Sequence, residues 1–260
     1  LYRFKTAKDE EGKTGSGLSP LMMASISGNV EVVRALIAEH KVDVTTQLRD
    51  TNTVIGFEPG VTALHMAMAC ASTGHEDMLT LHLNAGADIN APSKSGLTPL
   101  YAAIAYLNAN GIKALLEAPP ARGLDLERSN FLTHATPLCM AAFCGTTELV
   151  DAVVEAGADR TVPASDLGAT MLHVACCNPA ADHRMLDLLF GTDGKVDVNA
   201  LYRPRTRKWY GIDILFETLA RCGDRSAFTL DMAHMRGSTA LHQAAAFGQS
   251  HLIEWLLAHG

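Results

Sequence analysis

The chain has 260 residues, 48% of them hydrophobic, and its 21 Lys and Arg against 28 Asp and Glu leave a formal charge of -7. A field of that sign repels nucleic acid and anionic membranes, which excludes generic binding to either. No stretch approaches the ~18 uninterrupted apolar residues of a membrane-spanning helix, and six scattered cysteines (Cys70, Cys139, Cys144, Cys176, Cys177, Cys222) fit free thiols in a reducing, cytoplasmic compartment.

Residues 1–16 form an N-terminal extension without the apolar core of a signal peptide. Within it, Ala7 to Thr14 satisfies a relaxed phosphate-loop spacing, with Lys13 and Thr14 where phosphate and magnesium would bind. No strand precedes it, Gly15 to Gly17 follow where a helix should begin, and Asp9, Glu10 and Glu11 repel an anion. No nucleotide or other cofactor is therefore expected.

A short phrase then recurs along the chain: Ser19-Pro20-Leu21, Thr62-Ala63-Leu64, Thr98-Pro99-Leu100, Thr136-Pro137-Leu138, Thr170-Met171-Leu172 and Thr239-Ala240-Leu241. Each is a helix start, since Ser or Thr can cap the first free N–H groups and Pro suits the first helical position. A glycine stands two residues before five copies, and His134 replaces it before the fourth. Small pairs such as Ala141-Ala142 and Ala244-Ala245 keep this first helix thin. A Gly or Asn turn leads to a second helix with large apolar residues at helical spacing, as in Val32, Val33, Leu36 and Ile37. Gly86 and Gly157 sit where a left-handed C-cap is required, and turn residues follow them.

The intervals between phrases are 43, 36, 38, 34 and 69 residues. About ten extra residues between Thr45 and Pro59 lack a helical period and predict a lengthened finger. Pro119-Pro120 should end the third unit's second helix early. The 69-residue interval is twice a normal unit, and the amphipathic run from Gly211 to Gly223 predicts a degenerate repeat near residue 203. The chain starts at Leu1 and stops at Gly260 with a repeat in mid-course, so a fragment of a longer protein is expected.

These residues resemble the ankyrin repeat family, whose T-P-L-H-x-A phrase and period of roughly 33 residues they follow. The resemblance covers residues 17–260, with units starting near 17, 60, 96, 134, 168 and 237 and the degenerate one near 203. It implies an all-α solenoid of stacked helix-turn-helix units with hairpin fingers, binding a protein partner on its concave side. The phrase histidine matches His65, His173 and His242 and is replaced by Met22, Tyr101 and Cys139; the family uses it as a structural hydrogen-bonding residue.

No catalytic constellation emerges. His173, Cys176, Cys177 and His183 have ligand chemistry, but not at a standard zinc spacing, and the first two already hold repeat positions. Asn90 and Asn199 resemble finger asparagines that are hydroxylated in ankyrin proteins, a modification rather than an activity. Trp255 takes a core-facing position. The expectation is a protein-interaction module, adaptor or scaffold, monomeric in isolation and not an enzyme; the alternatives are the cytosolic ankyrin portion of a channel or enzyme, or a structural subunit of a large assembly. The stretch after Leu201 packs four cations among aromatic residues, so Tyr202, Arg203, Arg205, Arg207, Lys208, Trp209 and Tyr210 are the expected partner contact.

Overall fold

Every phrase does start a helix in the computed structural model, which describes residues 17–49, 57–119, 122–131, 134–161, 168–190, 197–203 and 237–259. Six pairs follow one another: α1 (Pro20–Ile26) with α2 (Val30–Ala38), α3 (Ala63–Cys70) with α4 (His75–Asn84), α5 (Pro99–Ala105) with α6 (Ala109–Leu116), α7 (Pro137–Cys144) with α8 (Thr147–Glu155), α9 (Met171–Cys176) with α10 (His183–Phe190), and α11 (Ala240–Ala246) with α12 (Ser250–His259). Regular structure among the described residues is helical, with one isolated antiparallel bridge, Gln47 to Thr62.

The caps form as the sequence requires. Ser19 Oγ accepts from Met22 N at 3.2 Å, Thr98 Oγ1 from Tyr101 N at 3.2 Å and Thr136 Oγ1 from Cys139 N at 3.3 Å, each with Pro in the first turn. The preceding position must turn left-handed. Gly60, Gly96, Gly168 and Gly237 take φ of 88°, 87°, 88° and 72°, and His134, in the copy without glycine, takes 55°. Asp43, Asp88, Asp125, Asp159 and Asp197 each accept from the backbone N–H two residues on, at 2.8 to 3.0 Å, turning the chain out of the second helix.

First helices pack on first helices from α1 through α3, α5, α7 and α9 to α11, and second helices likewise from α2 to α12. Phrase leucines Leu21, Leu64, Leu100, Leu138 and Leu172 are buried between the two layers. Asparagines in the helix turns lock neighbouring units. Asn108 caps α6 at Gly111 N (3.2 Å) and donates to Ala69 O and Ala71 O (3.2 and 2.9 Å). Asn178 likewise donates to Ala142 O and Gly145 O (3.0 and 2.8 Å).

A shared closure forms the fingers. Ser93 N donates to Leu97 O (2.9 Å) and Gly96 N returns to Ser93 O (3.0 Å). The same two bonds join Asn130 with Ala135 and His134, Leu48 with Val61 and Gly60, and Tyr202 with Ser238 and Gly237. Two residues lie inside the Ser93 closure, eleven inside that of Leu48, and thirty-four inside that of Tyr202. The lengthened first finger is therefore an insertion at the tip.

The fifth interval, where a degenerate repeat is expected near residue 203, joins two adjoining pairs. Helix α11 packs directly on α9, and α12 on α10, so the fifth and sixth pairs are immediate neighbours. The closure at Tyr202 and Gly237 brings the chain back to where it left the stack. The amphipathic run that prompted that expectation, Gly211 to Gly223, lies outside the described residues.

Candidate interaction surface

The repeat histidines bridge one unit to the next. His65 Nδ1 accepts from Thr62 N (3.2 Å) and Nε2 donates to Leu97 O (2.9 Å); His173 Nδ1 accepts from Thr170 N (3.2 Å) and Nε2 donates to Ser238 O (3.0 Å). Leu97 and Ser238 are both the residue before the next phrase threonine. A backbone N–H can only donate and a carbonyl only accept, which fixes the neutral tautomer with the proton on Nε2. Burial accordingly pulls His65 from the ordinary 6.5 down to about 4, and lowers His173 as well. His242 keeps the bond from Thr239 N (3.2 Å) but is exposed.

Two surfaces stay open around this frame. One is the free face of the first-helix layer. None of the six first helices contains an Asp, Glu, Lys or Arg, and the layer exposes Met23, Phe143 and Phe247, the last two at 52% and 46%. The other is the row of finger tips. In three fingers the residue just after the closing anchor is an exposed cation: Arg49 after Leu48, Lys94 after Ser93, and Arg203 after Tyr202. Arg49 and Lys94 flank a recess of about 450 Å³ between the first two fingers. Lys94 N also donates to Pro59 O at 2.9 Å, and Arg203 N to Gly168 O at 3.4 Å, so each tip leans on the finger before it.

The family follows from this geometry together with the matches to known proteins. The family model "Ankyrin repeats (3 copies)" matches residues 4–93 and 67–159, and the model "Ankyrin repeat" matches residues 236–260. The chain belongs to the ankyrin repeat family. It is 29% identical over 227 residues to the B-cell lymphoma 3 protein homolog of Mus musculus, covering 84% of this chain and 46% of that protein. It is 30% identical over 158 residues to the Neurogenic locus Notch protein of Drosophila melanogaster, covering 58% and 6%. To Alpha-latrocrustotoxin-Lt1a of Latrodectus tredecimguttatus it is 29% identical over 133 residues, covering 50% and 8%. The chain thus spans less than half the length of these curated relatives. In fold it matches a chain from the complex of a predatory endopeptidase of Bdellovibrio bacteriovorus with an immunity protein, at a TM-score of 0.62 and 16% identity, covering 93% and 98%.

Of the residues expected to touch a partner, the ankyrin stack buries Tyr202 completely, with its ring edge-on to His173 at 6.4 Å between centroids. Tyr202 is thus the anchor of a finger closure, and expecting it on the surface was an error: its backbone has to pair with Ser238, which draws the ring into the stack. Arg203 is exposed, whereas Arg205, Arg207, Lys208, Trp209 and Tyr210 lie outside the described residues, as does the phosphate-loop-like stretch from Ala7 to Thr14. Structural work engages the zinc-like set: both His173 nitrogens are bonded as above, and His183 Nε2 meets His251 O at 2.5 Å. Burial pushes the Cys139 and Cys176 thiols up to about 12, so neither is a thiolate near neutral pH. Asn90 ties its finger to the next one, accepting from Asp125 N (2.9 Å) and donating to Gly123 O (2.7 Å). Trp255 is buried and donates to Asp187 Oδ1 at 2.7 Å. Sequence reasoning missed the row of tip cations, which shows only once the finger closures set the register.

Proposed function

We propose that this chain is an adaptor or scaffold that holds an acidic protein surface across its finger tips and has no catalytic activity of its own. The repeat of Arg49, Lys94 and Arg203 at one position of the finger closure carries this reading. On a chain of net charge -7 these cations make a local positive row, from which an acidic partner gains steering and register. The basic and aromatic residues that follow, Arg205, Arg207, Lys208, Trp209 and Tyr210, extend the same contact in sequence and offer area with few rotors. No described helix is long and apolar enough to cross a membrane.

Coverage of 6% and 8% of two relatives also supports a second reading, in which the stack is the ankyrin portion of a larger protein and presents the same surface there. The test is affinity capture of partners identified by mass spectrometry, followed by titration of each purified partner against the wild-type chain and Arg49→Glu, Lys94→Glu and Arg203→Glu. Charge reversal should slow association by about tenfold or more at low salt, with the effect shrinking as salt rises. Unchanged association for all three variants would remove the finger-tip assignment.

A further inference from the structure

His82 occupies a position that other repeats give to leucine. Counted from the left-handed residue that opens the turn between paired helices, namely Gly28, Gly74, Leu107 and Gly248, the eighth residue is Leu36, His82, Leu115 and Leu256. The imidazole reaches across the seam where α1 and α2 meet α3 and α4. Its Nε2 lies 3.3 Å from the Ser25 hydroxyl of α1, while Nδ1 donates to Met78 O at 2.7 Å. Ser25 and His82 are both 0% exposed. Met78 O can only accept, so the neutral ring keeps its proton on Nδ1 and offers Nε2 to the hydroxyl.

A second proton turns this bridge into a buried charge. The Ser25 hydroxyl can rotate to accept from Nε2, but the charge meets no carboxylate. Helix α1 has no titratable side chain, and the charged residues of the other elements packed here, Glu31 and Arg34 of α2, Glu76 and Asp77 of α4 itself and Lys113 of α6, all take exposed positions. The remaining titratable groups, His65 and Cys70 of α3 and His75 of α4, bring no negative charge: burial raises the Cys70 thiol above its ordinary range. Burial likewise holds His82 below its ordinary value. Helices α5 to α8 of the third and fourth repeats contain no histidine.

We propose that His82 is a proton-operated latch between the first and second repeats: its neutral ring holds α4 to α1, and acidification releases the first repeat while the third and fourth stay folded. The opened chain takes up a proton near the ordinary 6.5 and the closed one only at lower pH, so the latch has its full strength above about pH 6.5 and loses it below. The first finger joins these two repeats, so release also carries Arg49 away from Lys94. The latch stands on the buried pair and not on the finger-tip reading, which Arg49, Lys94 and Arg203 report separately.

Hydrogen–deuterium exchange of the whole chain, read by mass spectrometry at about pH 7 and about pH 5 and divided by the intrinsic rate at each pH, tests this. Peptides from α1 and α2 should lose protection by about tenfold or more at the lower pH, and those from α5 to α8 by less than about twofold. In His82→Leu, which restores the residue of the other repeats, the loss in α1 and α2 should shrink by about tenfold. Equal losses in α1–α2 and α5–α8, or an unchanged loss in His82→Leu, overturns the proposal. Should His82→Leu not fold, His82→Gln is uncharged at both pH values and keeps a polar group beside Ser25; the same two outcomes then decide.

Discussion

His65 and His173 work only while neutral. His65 offers a lone pair to Thr62 N–H and a proton to Leu97 O, and a second proton on Nδ1 would face an N–H. The folded value near 4 lies below the ordinary 6.5, so the unfolded chain takes up protons first as pH falls. Stability is then fully present above about pH 6.5 and declines down to about pH 4, by on the order of 3 kcal/mol for His65 alone. Burial lowers His75, His82 and His173 in the same direction. Urea midpoints should fall between pH 7 and pH 4.5, and less steeply in His65→Gln; a flat profile would mean that these rings are charged in the folded chain. Leu138 supplies a second check of register. It is fully buried, so Leu138→Ala should cost about 2 to 5 kcal/mol in the same titration, and a loss below about 0.5 kcal/mol would place it outside the core.

At the scale of helices, close approach outweighs helix propensity at Gly111. A methyl group there would stand 2.0 Å from Met68 O, because α6 packs backbone against the end of α3. Replacing a helical Gly by Ala gains about 1 kcal/mol in propensity, but forcing atoms into filled space costs about 1 to 3 kcal/mol, and a backbone oxygen cannot swing aside. Gly111→Ala should therefore lower the urea midpoint, whereas a higher midpoint would show that α6 has room to move. The six helix pairs could be read from the sequence because caps, Pro at the first turn and apolar spacing act within a few residues. Phe57, whose ring stacks on Tyr106, gave no such signal: it is a lone aromatic in an aperiodic stretch, and Tyr106 lies 49 residues on. The expected seventh unit rests on the opposite kind of signal. The run from Gly211 to Gly223 has a helical period, and 69 residues is close to twice 34. What fixes the order of units is the bond from His173 to Ser238, across 65 residues.

For the molecule as a whole, those long-range bonds give two insertions one geometry. The Ser93 closure holds the stack together around two tip residues, and the Tyr202 closure does so around thirty-four. If the stack needs only the closure, residues 203–236 can be exchanged for the two tip residues Lys94 and Ser95 without harm to the fold. Closing a connection that much shorter costs roughly 2 kcal/mol less entropy, and for a stack of this size each kcal/mol moves the midpoint by about 2 to 4 °C. The exchanged chain should then melt at the wild-type temperature or a few degrees above it. It should also lose affinity for the acidic partner, because Arg203 and the cations and aromatic residues after it are gone except for the one lysine supplied. Circular dichroism melting and the partner titration together separate the two roles. A midpoint lower by more than about 10 °C would show that the excised residues contribute packing to the stack, and unchanged affinity would move the contact to Arg49 and Lys94 alone.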